Sequence, residues 1–149
     1  MTAYITLADG NDYFRENKVH TDAWDAATDV KKAKAANEAT ARINRLNFRG
    51  SKTDAEQANQ FPRDGDVAVP QNIKDACAEL AYALLDGVDP DREAANLSVS
   101  AEGFSGARTT YDRSFVPEYV KAGIPSQTAW NYLLPYLLDP REVDVGRIS

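Results

Sequence analysis

One histidine, one cysteine and scattered carboxylates are the residues of this 149-residue chain whose types could support catalysis or metal binding. An imidazole titrates near neutrality and is the usual general base. His20, however, sits between Val19 and Thr21 in a segment with no regular pattern and reads as an exposed loop residue. A thiolate is the usual sulfur nucleophile, but Cys77 falls mid-helix on an apolar face and reads as a core thiol. Zinc needs three or four nitrogen or sulfur ligands, which one histidine and one cysteine cannot supply within one chain. Asp64 with Asp66, or Asp86, Asp89 and Asp91, could touch a cation. Neither run has the alternating ligands and glycine of a calcium loop, so both read as solvated loop charge. Gly103-Phe104-Ser105-Gly106 has no following Lys-Ser/Thr and no strand–loop–helix setting, and reads as a turn rather than a phosphate loop. No catalytic residue, metal-ligand set or cofactor site is therefore assigned, and enzyme is the weakest class.

Charge is more informative. The chain carries 17 Lys+Arg against 23 Asp+Glu, a net −6, which opposes indiscriminate nucleic-acid binding but permits a local basic patch. Residues 31–52 hold such a patch, with seven basic residues against the single acid Glu38. Lys31, Lys34, Arg42, Arg45 and Arg49 gather on one face of the longest expected helix. They are candidates for contact with an acidic partner, a second subunit or a DNA backbone; a solvated helix face is the simpler alternative. No aromatic series for base stacking stands beside them in the sequence.

The elements that must position these groups are mostly helical. Thr6 with Asp9 forms a capping box ahead of Leu7, Tyr13 and Phe14, with Gly10 a weak point worth roughly 1 kcal/mol. Residues 22–27 make a short helical turn capped by Thr21 and holding Trp24. The longest helix is expected over residues 29–47, capped by Thr28, with Ala36, Ala39, Ile43 and Leu46 on one small-sided face. A polar connection follows, with one helical turn expected over residues 54–59 and Phe61 as its anchor. Pro70 suits the first turn of a helix bearing Ile73, Ala76, Cys77, Leu80, Ala81 and Leu84, which should end at Gly87. Residues 97–100 and 108–111 read as a hairpin, a pair too small to stand alone in water. A last helix is expected over residues 126–138, capped by Ser126 and kinked or stopped by Pro135. The expected fold is mainly α: about four helices and one β-hairpin near 97–111 in a single domain over residues 1–138, with an extended tail over 139–149. No stretch approaches the ~18 apolar residues of a membrane span. No signal-peptide pattern opens the chain, and a lone cysteine suits a reducing compartment, so synthesis in a cytoplasm is expected.

Several short motifs in order resemble a known family. Tyr4-Ile5-Thr6-Leu7-Ala8-Asp9 with Asp12-Tyr13-Phe14 is similar to an opening "Y-x-S/T-L/V-x-E/D-A-N/D-x-Y-F". Ala39-Thr40, Arg42-Ile43, Leu46, Arg49-Gly50-Ser51-Lys52, Gln57, Phe61-Pro62-Arg63, Val69-Pro70, Ile73-Lys74 and Ala76 continue the likeness. The chain thus resembles the bacteriophage head-to-tail adaptor (connector, or head-completion) proteins, including their DnaT-like single-stranded-DNA-binding relatives. Gly10 stands where alanine is commoner, and the sequence diverges after Gly87.

The resemblance implies a structural virion protein at the head–tail junction: a homo-oligomeric ring, often of about twelve copies, that extends the DNA exit channel. Its partners would be the portal protein and a tail-side protein, with no membrane, and DNA would pass without specific binding. The tail residues Asp139, Pro140, Arg141, Glu142, Val143, Val145, Arg147 and Ile148 would dock on the portal. The alternative is an accessory single-stranded-DNA-binding protein that uses Lys31, Lys34, Arg42, Arg45 and Arg49.

Overall fold

Side-chain hydroxyls set where three of the helices begin. The computed structural model describes residues 2–92 and 117–138. Its helices are α1 (Leu7–Asn17), α2 (Asp22–Ala26), α3 (Asp29–Asn44), α4 (Gln71–Leu85), α5 (Glu118–Lys121) and α6 (Gln127–Leu133), the last running into a 3-10 turn at Leu134–Tyr136. Thr6 accepts from the Asp9 amide at 3.1 Å while the Asp9 carboxylate accepts from the Thr6 amide at 2.9 Å, a reciprocal box that opens α1. Thr28 and Ser126 accept from the amides of Lys31 and Ala129 and open α3 and α6. Thr21 does not cap α2; its hydroxyl donates to Asp25 at 2.8 Å instead.

α4 is the central helix, packed on α3 along one side and on α6 along another. Ala35, Ala36, Ala39 and Ile43 of α3 are buried, as are Ile73, Ala76, Cys77, Leu80 and Ala81 of α4 and Ala129 and Leu133 of α6. Small side chains on α3 let the two backbones approach closely: the Cys77 thiol lies 3.7 Å from the Ala36 carbonyl and 3.5 Å from the Thr40 hydroxyl. Gly87, at φ 90°, closes α4 in the left-handed region. Glu79 is a buried acid of α4 that accepts from the Tyr13 hydroxyl at 2.7 Å and pairs with Lys18 at 2.9 Å, tying the end of α1 to α4.

Several expectations need correction. α3 ends at Asn44, three residues early, because Arg45 and Leu46 bond back to Arg42 and Ile43 in a tight final turn. Residues 54–59 form a hydrogen-bonded turn and no helix. α6 stops at Leu133, short of the expected 138, since Pro135 has no amide to continue it, and Leu134 is 48% exposed. α5 was not legible in the sequence. Among the described residues there is no β-strand, only isolated antiparallel bridges at Phe48–Leu137 and Lys52–Arg63. The expected hairpin over 97–111 and the tail over 139–149 lie outside the described residues. Among those described, no helix is long and apolar enough to cross a membrane.

Gly10 is a packing requirement rather than a weak point. A Cβ built there would lie 2.6 Å from two ring carbons of Trp24, which is itself 2% exposed and packed against Phe14 with ring centroids 4.7 Å apart and planes tilted by 42°. Gly10→Ala gains up to about 1 kcal/mol of helix propensity but forces an overpacked ring to move, costing about 1–3 kcal/mol. The expected net result is a lower thermal midpoint; a raised one would contradict this packing.

Two buried acids of the weak kind predict alkaline lability. Burial pushes the Cys77 thiol from 9.0 up to about 11, with the Thr40 hydroxyl opposing. Burial likewise pushes Tyr4 from 10.0 up to about 12, against the bond its hydroxyl accepts from the Phe61 amide. Both folded-state values exceed the unfolded ones. Their stabilising contribution is therefore complete below pH 9 and is lost as the unfolded chain ionises and pH rises through 11 and 12. Urea midpoints should fall over that window, less steeply in Cys77→Ala; a flat profile would contradict the burial of these groups.

Candidate nucleic-acid interface

The basic residues of α3 do not form one surface. Lys31 and Lys34 are exposed near its start, about 21 and 16 Å along the helix from Arg45, and Lys32 turns toward Trp24, 5.1 Å from the ring centroid. Arg42 is withdrawn from solvent, with its side chain 11% exposed. It reaches the Gly123 carbonyl at 3.4 Å, Glu38 at 3.6 Å and Asp91 at 3.8 Å, holding α3 to the turn after α5 and to the segment after α4. The helical pattern placed Arg42 beside Arg45 correctly, but the turn at Gly123 covers it.

Arg45 and Arg49 converge with a residue that the sequence left unassigned, Lys121 of α5. The three line a groove of about 790 Å³. Its apolar lining comes from Leu46, Ala122, Trp130, Leu134, Leu137 and Leu138, and Glu118 is the one acid among its lining residues. Arg45 caps the C-terminus of α3, where a cation is favoured by the exposed carbonyl dipoles. Lys121 occupies the last turn of α5. Both are exposed.

Arg49 is placed by the chain crossing beneath it. Its amide donates to the Tyr136 carbonyl at 2.9 Å, and the Leu138 amide donates to Asn47 at 3.0 Å, bridging residues 47–49 to 136–138. Its Nε donates to the Leu137 carbonyl at 3.0 Å. Under the same loop, Arg63 is 8% exposed and donates to carbonyls of Arg49 (2.8 Å), Gly50 (2.6 Å), Phe48 (3.4 Å) and Gln60 (3.2 Å), and to the Gln60 side chain. One planar guanidinium thus satisfies a loop that no regular element supports. Phe61 anchors the other side, with its ring against Tyr4, Phe48 and Tyr136 at 6.3, 4.7 and 5.6 Å.

The remaining candidates stand apart from this groove. His20 is exposed after α1, and Cys77 is fully buried between α3 and α4. Asp64 adopts φ 56° and accepts from the Ser51 amide at 3.0 Å, packing against Gly50. Asp89 accepts from the amides of Asp91 and Arg92. Among the described residues no three histidine, cysteine, aspartate or glutamate side chains are grouped to hold a metal. The tail residues from Asp139 to Ile148 lie outside the described residues.

A second groove, about 370 Å³, runs between α1 and the start of α4 and has the opposite character. Asp9, Asp12, Glu16 and Asp75 line it, with Lys74 as its one cation.

A family model described as "Putative DnaT-like ssDNA binding protein" matches residues 1–137. No curated protein and no solved structure matches the chain.

Proposed function

We propose, from the premise that the chain belongs to this DnaT-like family, that it is an accessory protein that binds single-stranded DNA through the basic groove between α3, α5 and α6. The observation that carries this reading is the convergence of Arg45, Arg49 and Lys121 on one groove in a chain whose net charge is −6. A strongly acidic protein that concentrates cations at one place can hold a phosphodiester backbone there while the rest of its surface repels it. No chemical step is assigned to the protein, whose histidine and cysteine both lie away from the groove.

The resemblance to phage adaptor proteins supports a second reading, a ring-forming virion adaptor between portal and tail. One structural feature favours it. The acidic groove of α1 and α4 and the basic groove of α3, α5 and α6 are complementary surfaces on one subunit, as a head-to-tail contact between identical copies requires.

Sedimentation velocity separates the two readings. DNA binding predicts that an oligothymidylate co-sediments with the protein at low salt. The adaptor reading predicts a large multiple of the 16.4 kDa subunit without DNA, or on addition of the portal protein from the same genome. An oligomer that ignores the oligonucleotide would replace the first reading with the second.

A further inference from the structure

The basic groove differs from a simple phosphate-binding surface in one respect: an indole lies on its apolar wall. Trp130 of α6 is half-buried, packed against the core on one side, and lines the groove together with Arg45, Arg49 and Lys121. A helix over residues 126–138 would place Trp130 on one face with Leu133 and Leu137. The early end of α6 at Leu133 and the return of residues 136–138 across Phe48 bring that face to the C-terminal end of α3.

The geometry points to Trp130 as the base-contacting residue, and hence as the determinant of preference for unpaired over paired DNA. This rests on the DNA-binding reading above. Phosphate contacts to Arg45 and Lys121 carry no preference for strand state beyond charge density. A base can meet an aromatic wall inside a groove only when it is not stacked and paired in a duplex, and such contacts tolerate any sequence because every base has a π-face. The groove's size lies within the roughly 300–1,000 Å³ range of sites that enclose small organic groups, and it has apolar walls for a base and cations for the adjoining phosphates. Leu134, half-exposed beside Trp130, extends the apolar contact.

Fluorescence tests this in the full chain because only two tryptophans are present. Trp24 is 2% exposed within the α1–α2–α4 cluster, so a change in emission on adding oligothymidylate reports Trp130. The wild-type protein should show that change and should bind oligothymidylate roughly fivefold or more tightly than an abasic chain of equal length and charge. Trp130→Ala should remove the difference between the two probes, and Trp130→Phe should retain most of it. Because Trp130→Ala also loosens packing, the abasic comparison on unaltered protein stands as an independent measure. Equal affinity for both probes, with no change in emission, overturns the role of Trp130 but leaves phosphate binding by the groove intact. No binding of either probe overturns the DNA reading itself.

Discussion

Replacing Arg45 and Lys121 together with glutamate is expected to lower affinity for single-stranded DNA by at least about tenfold at low salt. Two of the three groove cations become anions, and Glu118 then has no counterweight but Arg49. Both side chains are exposed, so the fold should survive; losing a cation at the end of α3 costs only about 0.3–1 kcal/mol. The matched control is Lys31→Glu with Lys34→Glu, which makes the same change in net charge at the other end of α3. If net charge alone governed binding, the two double variants would behave alike. The groove account predicts a clear loss from the first pair and a small one from the second, with equal losses contradicting it.

Arg63 should have the largest effect on stability. Its guanidinium serves carbonyls of Phe48, Arg49, Gly50 and Gln60 from a site 8% exposed. Among the described residues no carboxylate pairs with it. Truncation to alanine would leave one buried and several part-buried acceptors without donors, at roughly 1–3 kcal/mol each where water cannot enter. Relaxation and solvent entry limit the whole to about 2–4 kcal/mol. Arg63→Lys should recover little, because an ammonium group cannot span acceptors arranged around a planar fork. The measurement is the urea midpoint at constant m-value. A lysine variant as stable as wild type would show that the loop does not depend on the fork. Since this loop carries Arg49, weaker DNA binding should accompany the lost stability.

Local chemistry was legible in the sequence. Thr6, Thr28 and Ser126 cap helices because a hydroxyl can reach an amide three residues ahead whatever surrounds it. The apolar repeat of α4 and its glycine stop follow from helical geometry alone, as does the interruption at Pro135. Phe61 was recognisable as an anchor because it is an aromatic residue alone in a polar stretch.

What escaped depends on which segments meet. Arg42 sits on the right helical face for a basic surface, yet the turn at Gly123 lies over it. Lys121 and Trp130 are more than 70 residues from Arg45 in the chain, so no local pattern could join the three. Gly10 reads as a defect in α1 until Trp24 is placed 2.6 Å from where its Cβ would stand. Of the five basic residues expected to act together, only Arg45 and Arg49 share the groove.

The most direct measurement is the salt dependence of fluorescence anisotropy for a labelled oligothymidylate titrated with the unaltered protein. Arg45 and Lys121 engaging phosphates predict a log–log slope of about −1.4, since each neutralised phosphate of a single strand contributes about −0.7. Binding at low salt that falls with that slope supports the basic groove as the site. Anisotropy that stays flat at the lowest salt, with the protein folded, contradicts it.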